Sequence, residues 1–297
     1  MPREAAFITF ITHEFGALRG LFNIGLGVAV MALAPLVGRG WSRLVYVWIG
    51  VVLVTFAVGA WLQERYYAAR VGRVKPIENA HRHPWYLMVA VAVLENVARR
   101  LEWRGAYGVF AIGLGLALAF DVRKSWRFRR HLFLMPLLIV WLGADWIRGV
   151  DPADQWTWIR NAVMLLGAAL VVLGICDHVL LTGALEPGAR RLALSAMPAP
   201  AGPAAVVHDP ASAAMMTALL ACSEADILFL ARVAGLDTSE VLARLTTLFH
   251  QGLVFFEDSG WSRRKRKYAR LTAAGRDVAR SLWQTLPDER HWATRRA

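Results

Sequence analysis

Cysteine is almost missing from this chain. Two residues in 297, Cys176 and Cys222, exclude a disulfide framework and any C-x-x-C metal site and fit a reducing compartment. Charge is sparse as well, at 19% of residues. No G-x-S-x-G, H-E-x-x-H, P-loop or dinucleotide fingerprint occurs, so the residues that common hydrolytic and nucleotide-dependent chemistries need are not there. Nothing pairs a nucleophile with a base, and the chain does not read as an enzyme; it implies no cofactor. Glu78, His81 and His83 have metal-ligand chemistry, but no second cluster completes a site, so they read as solvated loop and no metal is expected. Met1–Gly20 holds Glu4, His13 and Glu14 and lacks a compact apolar core before a small-residue cleavage site, so it is expected to be retained rather than removed as a signal peptide.

What is abundant is apolar surface. Hydrophobic residues make up 57% of the chain and its mean hydropathy is +0.40. The excess lies before residue 183, in apolar runs at 21–37, 44–62, 105–120, 132–147 and 161–181, each near the length that crosses a bilayer. A further run, 85–101, is interrupted by Glu95, Arg99 and Arg100. Cations retained on the cytoplasmic side arbitrate. Arg65, Arg70, Arg73, Lys75 and Arg82 follow the second run, and Arg123, Lys124, Arg127, Arg129 and Arg130 follow the run at 105–120. Both loops belong inside, which requires an even number of crossings between them. Six spans with both termini cytoplasmic result, in a bacterial inner membrane. Five spans, which would strand five cations outside, is the second reading, and an in-plane amphipathic helix at 85–101 is the remaining alternative.

Gly20–Val30 and Gly108–Leu118 are identical at seven of eleven positions. A three-helix unit repeated once would place its copies in opposite orientations, as some transporters do; chance recurrence of Gly, Ala and Leu is the plainer account. Gly25 with Ala29, and Gly113 with Ala117, are spaced to let helices approach. Ionisable residues in or near the spans are Glu95, Asp145, Asp177 and His178, candidates for intramembrane sensing because burying them is costly. Structural pairing is the stronger expectation, Asp145 with Arg148, and Asp177 and His178 wet at the cytoplasmic edge. Tyr66–Val74 is an aromatic and basic stretch whose tyrosines suit the headgroup level and whose arginines suit lipid phosphate.

Three domains are expected: a membrane domain over 1–182, an Ala/Pro-rich linker over 183–212, and a cytosolic domain over 213–297. Pro187, Pro198, Pro200, Pro203 and Pro210 should keep the linker extended. The net charge of +12 sits mostly on membrane flanks and is not itself a sign of nucleic acid.

In the last part, Ala225–Gly235 and Thr238–Gln251 read as amphipathic helices about the turn Gly235-Leu236-Asp237. Val241, Leu242, Leu245, Leu248 and Phe249 form the expected buried face of the second. Asp237 or Thr238 caps it, and Gly252 suits the left-handed stop. Leu253–Leu271 reads as two strands joined by five consecutive cations, and Leu271-Thr272-Ala273-Ala274-Gly275-Arg276 opens a last helix running to about Leu286. On these residues, Ala214–Leu286 resembles the winged-helix DNA-binding domain of the MarR/ArsR superfamily. The resemblance implies a mainly α fold with a small β-hairpin wing and double-stranded DNA as partner. Ser239, Arg244 and Thr247 would lie nearest bases or phosphates, with Arg263, Arg264, Lys265, Arg266 and Lys267 along the backbone or minor groove. A homodimer is expected, because one such domain reads too few base pairs.

The leading expectation is therefore a membrane-anchored one-component transcriptional regulator responding to a membrane or envelope signal. The alternative is a transporter or lipid-interacting protein whose winged helix serves regulation or protein binding. A lipid-directed enzyme would require Asp145, Asp177 and His178 to share one cavity.

Overall fold

The structure, a computed structural model, describes residues 3–15, 18–36, 43–75, 106–122, 128–149, 151, 154–195, 207, 209–259 and 266–282. Glu78, His81, His83 and the whole of 85–101, with Glu95, lie outside the described residues. The chain is mainly helical with one small antiparallel sheet, and it divides into two compact units: Arg19–Gln63 with His81–His178, and Met1–Leu18 with Glu64–Ala80 and Val179–Ala297.

The first unit is helical. It contains α2 (Leu21–Leu33), most of α3 (Arg43–Arg70), α4 (Ala106–Val122), α5 (Leu134–Gly149) and most of α6 (Gln155–Ala184). Among the described residues, three helices are long and apolar enough to cross a membrane: Val45–Arg70, Arg130–Gly149 and Gln155–Ala184; Leu21–Leu36 is a shorter apolar helix. Val47, Val54, Val58, Leu116, Leu137 and Trp141 are each more than half exposed. Apolar surface on that scale is unfavourable in water and natural in lipid, so the chain is a membrane protein by its own surface.

The two copies of the repeated segment use equivalent glycines to pack. A Cβ on Gly20 would collide with the carbonyl of Gly174, and one on Gly27 would lie 2.5 Å from that of Gly167. In the second copy, Gly108 and Gly115 take the matching places, 2.6 and 2.9 Å from the carbonyls of Gly143 and Pro136. Small residues seven apart thus let α2 close on α6 and α4 on α5, backbone to backbone. Gly25 and Gly113, which the sequence spacing suggested for this task, face open space; the seam follows the residues two turns apart, not those four apart.

The second unit gathers three separated pieces of chain. Its elements are α1 (Arg3–His13), β1 (Val74–Lys75), α7 (Pro187–Ser195), α8 (Pro210–Ala221), β2 (Glu224–Asp226), α9 (Ile227–Ala234), α10 (Thr238–His250), β3 (Val254–Ser259), β4 (Arg266–Leu271) and α11 (Ala273–Ser281), together with the last turns of α3 and α6. Met215 and Met216 of α8, Phe229 and Leu230 of α9, and Leu245 of α10 are fully buried; so are Ile8, Ile11 and Leu18, and Tyr67 at the end of α3. Phe15 meets Phe229 edge to face at 5.2 Å between centroids. The sheet runs β1-β2-β4-β3, all antiparallel, with Val74 opposite Ala225, Ala225 opposite Ala269, and Val254 opposite Leu271.

Local chemistry fixes these elements. Asp209 caps α8, accepting from the amides of Ala211 and Ser212 at 3.0 Å, with Pro210 at the first helical position. Asp226 accepts from the Phe229 amide at 2.8 Å and starts α9. Asp237 and Glu240 form a reciprocal capping box on α10. Thr272 accepts from the Gly275 amide at 2.9 Å, and Gly275 presses on the carbonyl of Leu253, where any Cβ would collide. The Leu-Thr-x-x-Gly-Arg motif is thus a cap followed by a close crossing.

Two expectations change here. Within the segment read as an extended linker, Pro187–Ser195 is helical: Pro187 occupies an N-terminal helical position without loss, and α7 packs on α9, with Arg190 and Arg191 donating to the carbonyls of Val233 and Gly235, each at 3.2 Å. Tyr67 is fully buried within the fold rather than on its surface, and Arg73 pairs with Glu64 at 3.5 Å.

Candidate functional site

The helix α10 and the β3–β4 hairpin carry the residues singled out for nucleic acid. On α10, Val241, Leu245 and Leu248 are buried, whereas Leu242 and Phe249 stand 37% and 43% exposed. The buried stripe is narrower than the five-residue face expected from spacing, because α10 is covered along a single seam. Ser239 and Thr247 are exposed on its outer side, and the Thr247 hydroxyl donates to the Ala243 carbonyl at 3.2 Å.

Arg244 has a partner within the fold. Its Nη1 forms an ion pair with Asp209 Oδ1, the same oxygen that caps α8. Burial works to raise the Asp209 carboxyl, but the hydrogen bonds from Ser212 and the Arg244 guanidinium outweigh it and hold the group below its ordinary value of 3.8. The residue expected to lie nearest bases or phosphates therefore joins α10 to α8.

In the hairpin, β3 and β4 remain paired to their open ends, Ser259 opposite Arg266. Lys267 is exposed on β4, opposite Asp258. Arg263, Arg264 and Lys265 lie outside the described residues, as does the side chain of Arg266.

A second set of contacts, with no local signal in the sequence, fastens the segment after α3 to α9 and the sheet. Arg232 Nε donates to the Arg70 carbonyl at 3.2 Å, the Asp226 amide to Arg73 at 3.0 Å, and the Ser223 amide and hydroxyl to Lys75 at 3.0 and 2.9 Å. Lys75 Nζ reaches Glu224 Oε2 at 2.5 Å and lies 5.4 Å from the Tyr268 ring centroid. Gly72, at φ +98°, crosses so close to Asp226 and Phe229 that a side chain has no room. The segment is an added edge strand, β1, clasped to the sheet beside α9.

In the helical unit, Asp145 accepts from Trp158 Nε1 at 2.8 Å instead of pairing with Arg148. Trp158 also meets Trp146 edge to face at 4.9 Å, and both line a cavity of about 330 Å³ with Gln155. Asp177 is not wet: it is fully buried, taking two hydrogen bonds from Arg129 at 3.0 and 2.5 Å, with His131 Nε2 at 2.7 Å. Sequence reading counted Arg129 only as a loop cation. His178, its neighbour on α6, is half-buried. Asp145 and Asp177 thus have separate partners. Among the described residues no three His, Cys, Asp or Glu side chains group as metal ligands.

Cys222 is buried at the end of α8, its thiol donating to the Ala218 carbonyl at 3.2 Å. Burial, and secondarily the negative charge of Glu224, push it up to about 12, which makes it an inert core residue.

The chain is similar to no family model, no curated protein and no solved structure.

Proposed function

We propose that this chain is a membrane-anchored one-component transcriptional regulator of the bacterial inner membrane, binding double-stranded DNA as a homodimer through residues 213–297. One juxtaposition carries the reading. The helix α10 leaves Ser239 and Thr247 exposed, and the hairpin beside it passes at its open end into Arg263, Arg264 and Lys265. A helix for the major groove next to a basic turn for the backbone is the winged-helix order, and it divides specificity from salt-dependent affinity.

Six crossings with both termini on one side fit this reading. The candidate spans Val45–Arg70 and Gln155–Ala184 both end in the unit that holds α1 and the sheet. Chain that leaves and returns to the same side crosses an even number of times. On this reading α4, α5 and α6 make three crossings and residues 85–101 supply the fourth, which a five-span reading lacks. In this scheme a signal in the bilayer reaches the helix-turn-helix through the clasped segment Arg70–Lys75.

The test uses the full chain in lipid nanodiscs and fluorescent genomic DNA fragments across a salt series, beside a variant with Arg263 to Lys267 changed to alanine. Binding that weakens steeply with salt and is lost in the variant is expected. A folded chain that binds no DNA at low salt overturns the reading.

A second reading, a transporter or lipid-interacting protein with a protein-binding module, is favoured by Leu242 and Phe249, apolar side chains exposed on α10. Under it, Leu242→Ser would abolish partner binding while the alanine-substituted wing would not.

A further inference from the structure

The two candidate spans that end in the mixed unit share a cavity at their ends. About 480 Å³ in volume, it is lined by Arg70 and Val71 after α3, by Val179, Leu185 and Glu186 at the end of α6 and just beyond it, and by Arg232 of α9. Its charge is unbalanced. Among the described residues, Arg70 stacks on Tyr66 at 5.2 Å and donates to its hydroxyl at 3.2 Å, and Arg232 spends Nε on the Arg70 carbonyl. Neither guanidinium forms an ion pair there, in contrast to Arg73, held by Glu64, and Lys75, held by Glu224. Two arginines free of carboxylates face one cavity in which, among the described residues, Glu186 is the only acid.

The geometry points to a phosphate-binding site. Guanidinium groups take phosphate through paired N–H donors, and the site stands where two apolar spans end, the level at which bilayers present their headgroups. Val71, Val179 and Leu185 provide an apolar wall beside the cations, which suits a glycerophospholipid over a free ion, though the phosphate is the group recognised. Because Arg232 belongs to α9 and also holds the carbonyl at the end of α3, occupancy of the site stiffens the joint between a membrane helix and the helix-turn-helix. Binding itself does not rest on the DNA reading.

The test is native mass spectrometry of the full chain from micelles holding phosphatidylglycerol and phosphatidylcholine in equal amounts, with thermal melts of the same protein in inorganic phosphate or sulfate-free chloride at matched ionic strength. Wild type should retain one phosphatidylglycerol. Arg70→Gln and Arg232→Gln should each weaken retention about fivefold, from roughly 1 kcal/mol per cation, and Glu186→Gln should strengthen it while disturbing no contact of Arg232. Arg73→Gln, which removes a charge outside the cavity, should change nothing. A melt raised by phosphate but not by chloride, without lipid retention, assigns the site to a free phosphate. Equal retention in all four variants, or equal loss in Arg73→Gln and Arg70→Gln, overturns the site, as does a chain that holds neither lipid nor phosphate.

Discussion

Arg244 and Asp209 form an ion pair in which one carboxylate oxygen both caps α8 and anchors α10. The helix α10 is therefore positioned by a residue that sequence patterning assigns to DNA.

Removing the arginine should be felt in stability before it is felt in DNA contact. The pair is more than a third exposed on the Asp209 side, so Arg244→Ala is expected to cost only about 0.5–1 kcal/mol, read by chemical unfolding of the full chain. Asp209→Ala should cost more, about 1–2 kcal/mol, because the cap goes with it. If Arg244→Ala leaves stability untouched and alters operator preference, the side chain leaves Asp209 for the base.

The same carboxylate predicts an acid limb. Folding holds Asp209 below 3.8, so the folded state binds fewer protons than the unfolded chain near that pH. The contribution of Asp209 is complete above about pH 4 and fades as pH falls through its folded value. Comparison of wild type with Asp209→Asn from pH 6 to pH 2 should show their stabilities converging toward the acid end.

Cys222 should resist alkylation. With the thiol at about 12 and buried, maleimide at pH 7.5 is expected to leave it unmodified in the folded chain and to label it on unfolding, measured in a Cys176→Ser background. Prompt labelling of native protein would mean that α8 opens.

Breaking the clasp should loosen the sheet edge. Gly72→Ala forces a side chain into a left-handed position already crowded by Asp226 and Phe229, at an expected cost of about 1–3 kcal/mol. Hydrogen exchange at Ser223 and Asp226, whose amides donate to Lys75 and Arg73, should rise together. Exchange that rises uniformly over α8 and α10 would instead mark global destabilisation.

Asp177 offers a sharper contrast. Asp177→Leu alone leaves Arg129 buried without its partner and should cost about 3–5 kcal/mol, while Asp177→Leu with Arg129→Met should recover most of it. Thermal melts in detergent read both. A double variant no better than the single would assign the loss to His131.

Much of the last ninety residues was legible because the signals are local. The helix expected over Ala225–Gly235 is Ile227–Ala234, and the strands expected within Leu253–Leu271 are Val254–Ser259 and Arg266–Leu271. Caps, a left-handed Gly252 and an alternating pattern all act within a few residues. Spacing alone placed Leu242 and Phe249 inside, since periodicity identifies a face but not how wide a neighbour covers it. β1 was invisible for the same reason: two residues, Val74 and Lys75, pair with a strand some 150 positions away, and no local composition announces that. Ile8, Ile11, Phe15 and Leu18 did hold an apolar stripe, yet a stripe preceding a membrane span reads equally as a flank.

The divided origin of the mixed unit bears on how the protein is made. Its core joins Ile8, Ile11 and Phe15 to Met215, Phe229 and Leu245, so the ribosome releases one wall roughly 200 residues before the other. At about 5–20 residues per second, the apolar face of α1 waits some 10–40 s for its complement. During that interval the intervening helices are being inserted. A truncated chain that stops after α6 lacks Met215, Phe229 and Leu245, so the apolar face of α1 completes its burial only once α8, α9 and α10 have been made.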